Sequence, residues 1–190
     1  MRYSASHKEE TREKLLESSA ALAKRGGFAT TGVDGLMKAI GLTGGAFYSH
    51  FPSKDDLFSA IVQRELSRSL IGRITQESGF SRDRLDRCLD HYLCMAHVRH
   101  PESGCAIPAL GAEIARADEA VRERAEHWMQ QLQRAWAEIL GDDELAWALI
   151  AQCVGALVVA RMLASETTQA EVLASSRSVL DRVLDERLEQ

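Results

Sequence analysis

The placement of helix-breaking residues constrains this chain most. Seven of its thirteen glycines fall within residues 26–45, whereas the 82 residues after Pro108 hold only Gly111, Gly141 and Gly155. The prolines are three, Pro52, Pro101 and Pro108. Glycine and proline both oppose helix interiors, and a many-stranded fold needs them at each of its many turns. A front part cut into short pieces, followed by long uninterrupted runs, predicts an all-α protein of about nine helices with a small head on a larger body. The length of 190 residues suits one compact unit or a head on a body. Hydrophobic residues make up 45% of the chain, enough for a core and too much for a disordered polymer.

Charge divides the chain in the same place. Residues 1–54 carry eight Lys/Arg against five Asp/Glu, a net of +3, which leaves the remaining 136 residues with 15 basic and 23 acidic side chains, a net of −8. A mildly basic head on an acidic body points to a polyanion partner at one end only. No charged start followed by an apolar run opens the sequence, so a cytoplasmic location is expected. The apolar stretch Leu145 to Ala164 contains Gln152 and Arg161 and is rich in Ala, which favours a buried helix over a membrane span. Cys88, Cys94, Cys105 and Cys153 form no CxxC pair and are expected as free thiols.

Periodicity places the elements. Leu15, Leu16, Ser19, Ala20 and Ala23 recur at three and four within a helix over 8–25, which Gly26 and Gly27 end. Thr31 is the expected cap of a second helix with Val33, Leu36, Met37 and Ile40 inward, and Gly41 ends it. Thr43 is the expected cap of a third, Gly44 to His50, with Phe47 and Phe51 facing the core. Ser53 opens a fourth through Lys54-Asp55-Asp56, with Leu57, Phe58, Ile61, Val62 and Leu66 as its stripe, running to Gly79. Further helices are expected over 81–99, 107–117, 118–140, 143–165 and 168–188. The head is thus 1–54 and the body 55–190, with the fourth helix, from residue 54, linking them.

Two short helices joined across Gly41-Leu42, the second displaying Tyr48, Ser49 and His50, fit a helix-turn-helix. Four segments carry a resemblance: Thr31-Gly32-Val33; Ile40-Gly41-Leu42-Thr43; Gly45-Ala46-Phe47-Tyr48-Ser49-His50-Phe51; and Ser53-Lys54-Asp55-Asp56-Leu57. Over about residues 10–62 the chain resembles the DNA-binding head of the TetR/AcrR family of bacterial repressors. The resemblance implies a homodimer, one head per subunit on double-stranded operator DNA, and a body that binds a small-molecule inducer. It makes the chain a transcriptional regulator, by family default a repressor. In those roles Tyr48, His50, Lys54 and Thr31 would meet phosphates, while Thr43, Gly44, Gly45, Ser49 and Lys38 would lie against bases. Family members often carry a basic residue at the position of Gly44 and an Arg at that of Asp34. Thr43 to Phe51 holds no Arg, Lys, Asn or Gln, so the strong bidentate base contacts are missing.

The body is read from its own residues. Tyr92, Met95, His97, Glu113, His127, Trp128, Gln131 and Trp147 are the expected ligand-binding wall, joined by Cys105. That cysteine lies in the breaking segment Pro101–Pro108 just before a helix, where a thiol is reachable and amides favour thiolate. An electrophile or oxidant sensed at Cys105 is therefore one form the inducer can take. By the resemblance, the last two helices pair with their copies, placing Ala151, Gly155, Val179 and Val183 in a dimer interface. His91, Cys94, His97 and His100 are spaced by three, which advances about 300° per step on a helix and scatters them, so no metal is expected. Motifs for a nucleophile elbow, a zinc protease, a P-loop and a dinucleotide fold are absent, so neither an enzyme nor a cofactor is expected. The rival reading is a helical protein-interaction module that has lost specific DNA binding.

Overall fold

A computed structural model describes residues 5–68 and 81–188. It contains no strand among them. The elements are α1 (Ala5–Gly26), α2 (Val33–Ala39), a 3₁₀ helix η1 (Gly44–Ser49), α3 (Lys54–Ser67), α4 (Arg82–Tyr92) and α5 (Met95–Arg99). A second 3₁₀ turn, η2 (Pro101–Ser103), precedes α6 (Ile107–Ile114), α7 (Glu119–Leu140), α8 (Asp143–Met162) and α9 (Glu166–Leu188).

The head is built as its periodicity requires, with three local differences. Leu15, Leu16, Ala20 and Ala23 of α1 pack on Leu36 and Met37 of α2, on Phe47 and Phe51, and on Leu57, Phe58, Ile61, Val62 and Leu66 of α3. Gly27 and Gly41 adopt φ of +87° and +74°, the left-handed geometry that ends α1 and α2. Thr31, however, does not cap α2. Gly32 occupies the cap position, and the Thr31 hydroxyl donates backwards to the Gly27 carbonyl at 3.3 Å. Thr43 stands at the start of η1 without a side-chain cap bond, and η1 is a 3₁₀ rather than an α-helix. Two opening glycines and six residues are too little to stabilise α-helical turns, and short i→i+3 pieces are the usual outcome. Ser53 does cap α3, accepting the Asp56 amide at 3.0 Å. α3 stops at Ser67, where Arg68 leaves helical geometry; the rest of the expected span to Gly79 lies outside the described residues.

The body has α8 at its centre, between α7 and α9. α8 is long and apolar enough to cross a membrane by length and composition, yet Ala146, Leu149, Ile150, Cys153, Ala156, Leu157 and Ala160 are buried in the protein interior. Asp142 caps it, accepting the Leu145 amide, and Gly141 at φ +66° closes α7 ahead of it. Arg177 of α9 pairs with Asp86 and Asp90 of α4, and Arg82 of α4 pairs with Asp181 and Asp185 of α9.

The helix expected over 81–99 is broken into α4 and α5, and His97 is the reason. Its Nδ1 donates to the Tyr92 carbonyl at 2.8 Å, taking the acceptor that a continuous helix would offer to the amide of Ala96. Its Nε2 accepts the Cys105 amide at 2.9 Å, so the ring carries its proton on Nδ1 and joins the end of α4 to the segment before α6. Gly104 is required beside it, because a Cβ there would overlap the imidazole.

Burial pushes the His97 imidazole down from 6.5 to about 4, and Arg161, His91 and Lys24 push the same way against its bond to the Tyr92 carbonyl. Between those values the unfolded chain binds a proton that the folded chain does not, so this residue's contribution is complete above pH 6.5 and is lost as pH falls toward 4. The expected slope is at most about 1.4 kcal/mol per pH unit. Denaturant titrations from pH 7 to 4.5 should show a steeper loss for the wild type than for His97→Gln. Parallel profiles would remove His97 from this account.

Candidate nucleic-acid interface and its tie to the body

The exposed edge of the head is assembled on two buried rings. Phe47 and Phe51 sit 6.2 Å apart in the core, and Tyr48 stands edge-on to Phe47 at 5.3 Å and 87°, which props its ring outward at 66% exposure. Thr43, Gly45, Ser49 and Lys38 are exposed on the same helix-turn-helix, and Gly44 is half-buried. Ser49 donates to the Ala46 carbonyl at 2.7 Å. A Cβ on Gly45 would meet open space, whereas one on Gly44 would overlap Oδ1 of Asp34. Most of these exposed groups are small, which leaves the backbone at Gly45 open to close approach.

His50 and Lys54 are more constrained than their residue types suggest. His50 is half-buried, its Nδ1 lacks a hydrogen-bond partner, and burial, followed by Lys8 and Arg12, holds its pKa below the ordinary value against the opposing Glu9. It lines a cleft of ≈ 320 Å³ with His7, Lys8, Thr11, Leu42, Ala46 and Ser49. Lys54 donates to the Ala29 carbonyl at 3.1 Å and lies 4.8 Å from the Phe28 ring centroid. One of its three N–H donors is thereby committed to the turn between α1 and α2.

The same turn is held from the body. Glu113 of α6 accepts the Phe28 amide at 2.8 Å and the Ala29 amide at 3.0 Å, one with each carboxylate oxygen. Lys24, only 8% exposed near the end of α1, pairs with Glu65 of α3 at 2.6 Å and donates to the Gly104 carbonyl at 3.1 Å. Arg25 adds an exposed pair to Glu102 at 3.1 Å. Segment 102–113 thus grips the head at three points, and Glu113 also lines a cavity of ≈ 290 Å³ with Phe28, Asp55, Phe58, Arg116 and Val121.

The other expected wall residues separate into three groups. His127, Trp128 and Gln131 line one cavity of ≈ 400 Å³ between α3 and α7, together with Gln63, Leu66, Ser67, Glu123 and Arg124. Tyr92, His97 and Cys105 are instead buried in the body's interior, with Met95 half-buried against it. The Tyr92 ring meets His97 edge-on at 4.7 Å. Trp147 faces outward on α8. Cys105 is 3% exposed, which overturns its expected reachability: its amide is drawn inward by His97. Burial pushes the Cys88 and Cys153 thiols up to about 12, so both stay protonated at neutral pH. Sequence reasoning missed Lys24, a charge buried on the inward face of α1 between Ala20 and Phe28. Its position on the stripe of Leu16, Ala20 and Ala23 was the available signal.

Tyr48→Phe removes a hydroxyl while keeping the propped ring. It should weaken binding to all duplex sequences alike by about 0.5–1.5 kcal/mol, roughly two- to tenfold. A changed base preference in selection from random DNA would instead assign Tyr48 to base reading.

Comparison with known proteins agrees with this arrangement. Residues 15–61 match the family model described as bacterial regulatory proteins, tetR family. The chain is 30% identical over 140 residues to the nucleoid occlusion factor SlmA of Marinobacter nauticus, covering 73% of this chain and 70% of that protein. It is 42% identical over 69 residues to the HTH-type transcriptional regulator AcrR of Shigella flexneri, which covers 36% of this chain and 31% of that protein. Among solved structures, a TetR transcriptional regulator from Chloroflexus aurantiacus aligns with a TM-score of 0.78 at 23% identity, over 95% of this chain and 97% of that one. The reduced form of E. coli NemR aligns with a TM-score of 0.76 at 22% identity, over 91% and 96%. The chain belongs to the tetR family of bacterial regulatory proteins, and it is a DNA-binding transcriptional regulator.

Proposed function

We propose that this regulator is a cytoplasmic homodimeric repressor that leaves its operator when a small molecule binds the body. The observation that carries this reading is the three-point grip of segment 102–113 on α1 and the α1–α2 turn. A body that holds the head through directional bonds can reorient it by moving that segment or α3. The cavity between α3 and α7 is the proposed inducer site. Leu66 and Ser67, in its wall, directly follow Glu65, the partner of Lys24. A ligand stacked on Trp128 would therefore act on the helix that carries the head. Mobility shifts on the chain's own upstream DNA test regulator against interaction module, since only the regulator retards that DNA.

Pairing through α8 and α9 is supported by an uncovered apolar face. Trp147, Ala151, Val158 and Met162 share one side of α8, with Met162 at 77% exposure, and Val179 and Val183 are exposed on α9. Soluble proteins rarely leave such a contiguous patch open, and a second copy is the partner that C₂ symmetry supplies. A Cβ on Gly155 meets nothing within 4 Å in the protomer, so Gly155→Leu should leave the fold intact while overpacking the dimer by about 1–3 kcal/mol. Sedimentation at micromolar concentration should give a wild-type dimer and a variant shifted toward monomer, with weaker DNA binding. A wild-type monomer would overturn the pairing.

A thiol trigger is the second reading; Cys105 is buried at rest, so a reagent reaches it only when the segment before α6 opens, and the contacts around it are what an adduct would disturb. Its amide binds His97 while the preceding carbonyl binds Lys24, so an adduct on this buried thiol would strain both bonds. Operator binding by wild type should fall after N-ethylmaleimide, and Cys105→Ser should resist. Equal loss in both would move the response to another thiol.

A further inference from the structure

We propose that Asp34, seated over Gly44, reads a base amino group and sets the sequence preference of this head at one position in each half-site. This rests on the head's role in DNA binding and adds a residue that the expected contacts omit. Gly44 opens η1, the element that enters the groove, and it brings no side chain. The Asp34 carboxylate, in the first turn of α2, fills the missing place: a Cβ built on Gly44 would overlap Oδ1 and lie 3.1 Å from the carboxyl carbon. α2 thus supplies at this point the functional group that η1 lacks. The two departures, glycine at 44 and an acid at 34, are therefore one spatial feature.

Asp34 is exposed on its helix, as is Lys38 one turn on. A bare carboxylate on a face that approaches phosphates costs affinity through like-charge repulsion. That cost is offset if the oxygen accepts a hydrogen bond from a base. A carboxylate only accepts, and the amino donors of the major groove are N4 of cytosine and N6 of adenine. Cytosine suits it better, because adenine also presents the N7 acceptor beside its amino group, which would face the second carboxylate oxygen unpaired. Guanine and thymine offer acceptors at the same place and are repelled. With no Arg, Lys, Asn or Gln between Thr43 and Phe51, this carboxylate is the strongest directional hydrogen-bonding group at the start of η1.

The test is selection of bound duplexes from random DNA by the full-length wild type, Asp34→Ala, Asp34→Asn and Gly44→Ala, followed by titrations on the recovered site and its single-base variants. The wild type should enrich cytosine at one position per half-site and lose about 5- to 150-fold when it is replaced, the 1–3 kcal/mol of one good base contact. Asp34→Ala should flatten that position alone. Gly44→Ala, whose methyl must displace the carboxylate, should flatten the same position, and the double variant should do no more than either. Asp34→Asn keeps the shape and gains a donor, so its preference should move toward adenine. Gly44 is not at positive φ, and thermal unfolding of each variant checks that the head is intact. Uniformly tighter binding by Asp34→Ala with unchanged preference would overturn the proposal, since Asp34 would then only repel phosphate. Changes at different positions in the two single variants would overturn the pairing. A wild type that recovers no common site would reject specific DNA reading by the head itself, a failure distinct from that of Asp34.

Discussion

A buried ammonium holds this molecule's head and body in one frame. Lys24 points from α1 into the region where α1, α3 and the segment before α6 meet, and it is satisfied there by the Glu65 carboxylate and the Gly104 carbonyl. Withdrawing a charge from water costs several kcal/mol unless partners replace the lost hydration, so the three elements must stay in register for the ammonium to remain inside. Removing one partner leaves an uncompensated charge, a loss of about 3–5 kcal/mol where such pairs have been broken. The apolar contacts around it, among them Ala106 and Leu110 against the head core, would tolerate sliding; the ion pair does not.

His97 extends that frame inward. Its imidazole breaks the α4–α5 run, fixes the Cys105 amide, and leaves Gly104 as the only residue type that fits beside the ring. Arg161 of α8 donates to the His97 carbonyl at 2.7 Å, so the central helix of the body touches the same junction. Three consecutive polar links run from α8 to α1 through four groups, Arg161, His97, the 104–105 backbone and Lys24. A change of packing around α8 has a short physical route to the head, through groups whose geometry is directional and not through soft apolar contacts.

Local chemistry was readable in the sequence wherever a single residue type carries it. Gly41 and Gly141 mark left-handed helix ends, Ser53 marks a cap, and Phe47 with Phe51 mark the face that supports Tyr48. Caps that depend on a neighbour were misread, because Thr31 and Gly32 compete for one position and the hydroxyl finds Gly27 first. The long-range polar contacts were not legible at all. Glu113 meets the amides of Phe28 and Ala29 some 85 residues earlier in the chain, and nothing in either stretch names the other. Nor does the sequence tell the positions of the expected wall residues apart: aromatic and polar residues of the middle helices look alike there, yet His127 and Trp128 line a cavity, Tyr92 is interior and Trp147 faces out.

One property of the grip on the head reaches beyond any single contact. Glu113 holds two main-chain amides, and Lys24 and Lys54 each hold a main-chain carbonyl. A backbone group is present whatever the side chain, so at each of these contacts only one partner is specified by residue type. The α1–α2 turn can therefore accumulate substitutions without loosening its attachment, whereas the three holders cannot. Sequence change in the turn itself is then free of the joint, because the turn contributes only backbone groups to it, while the identity the joint demands is concentrated in Lys24, Lys54 and Glu113.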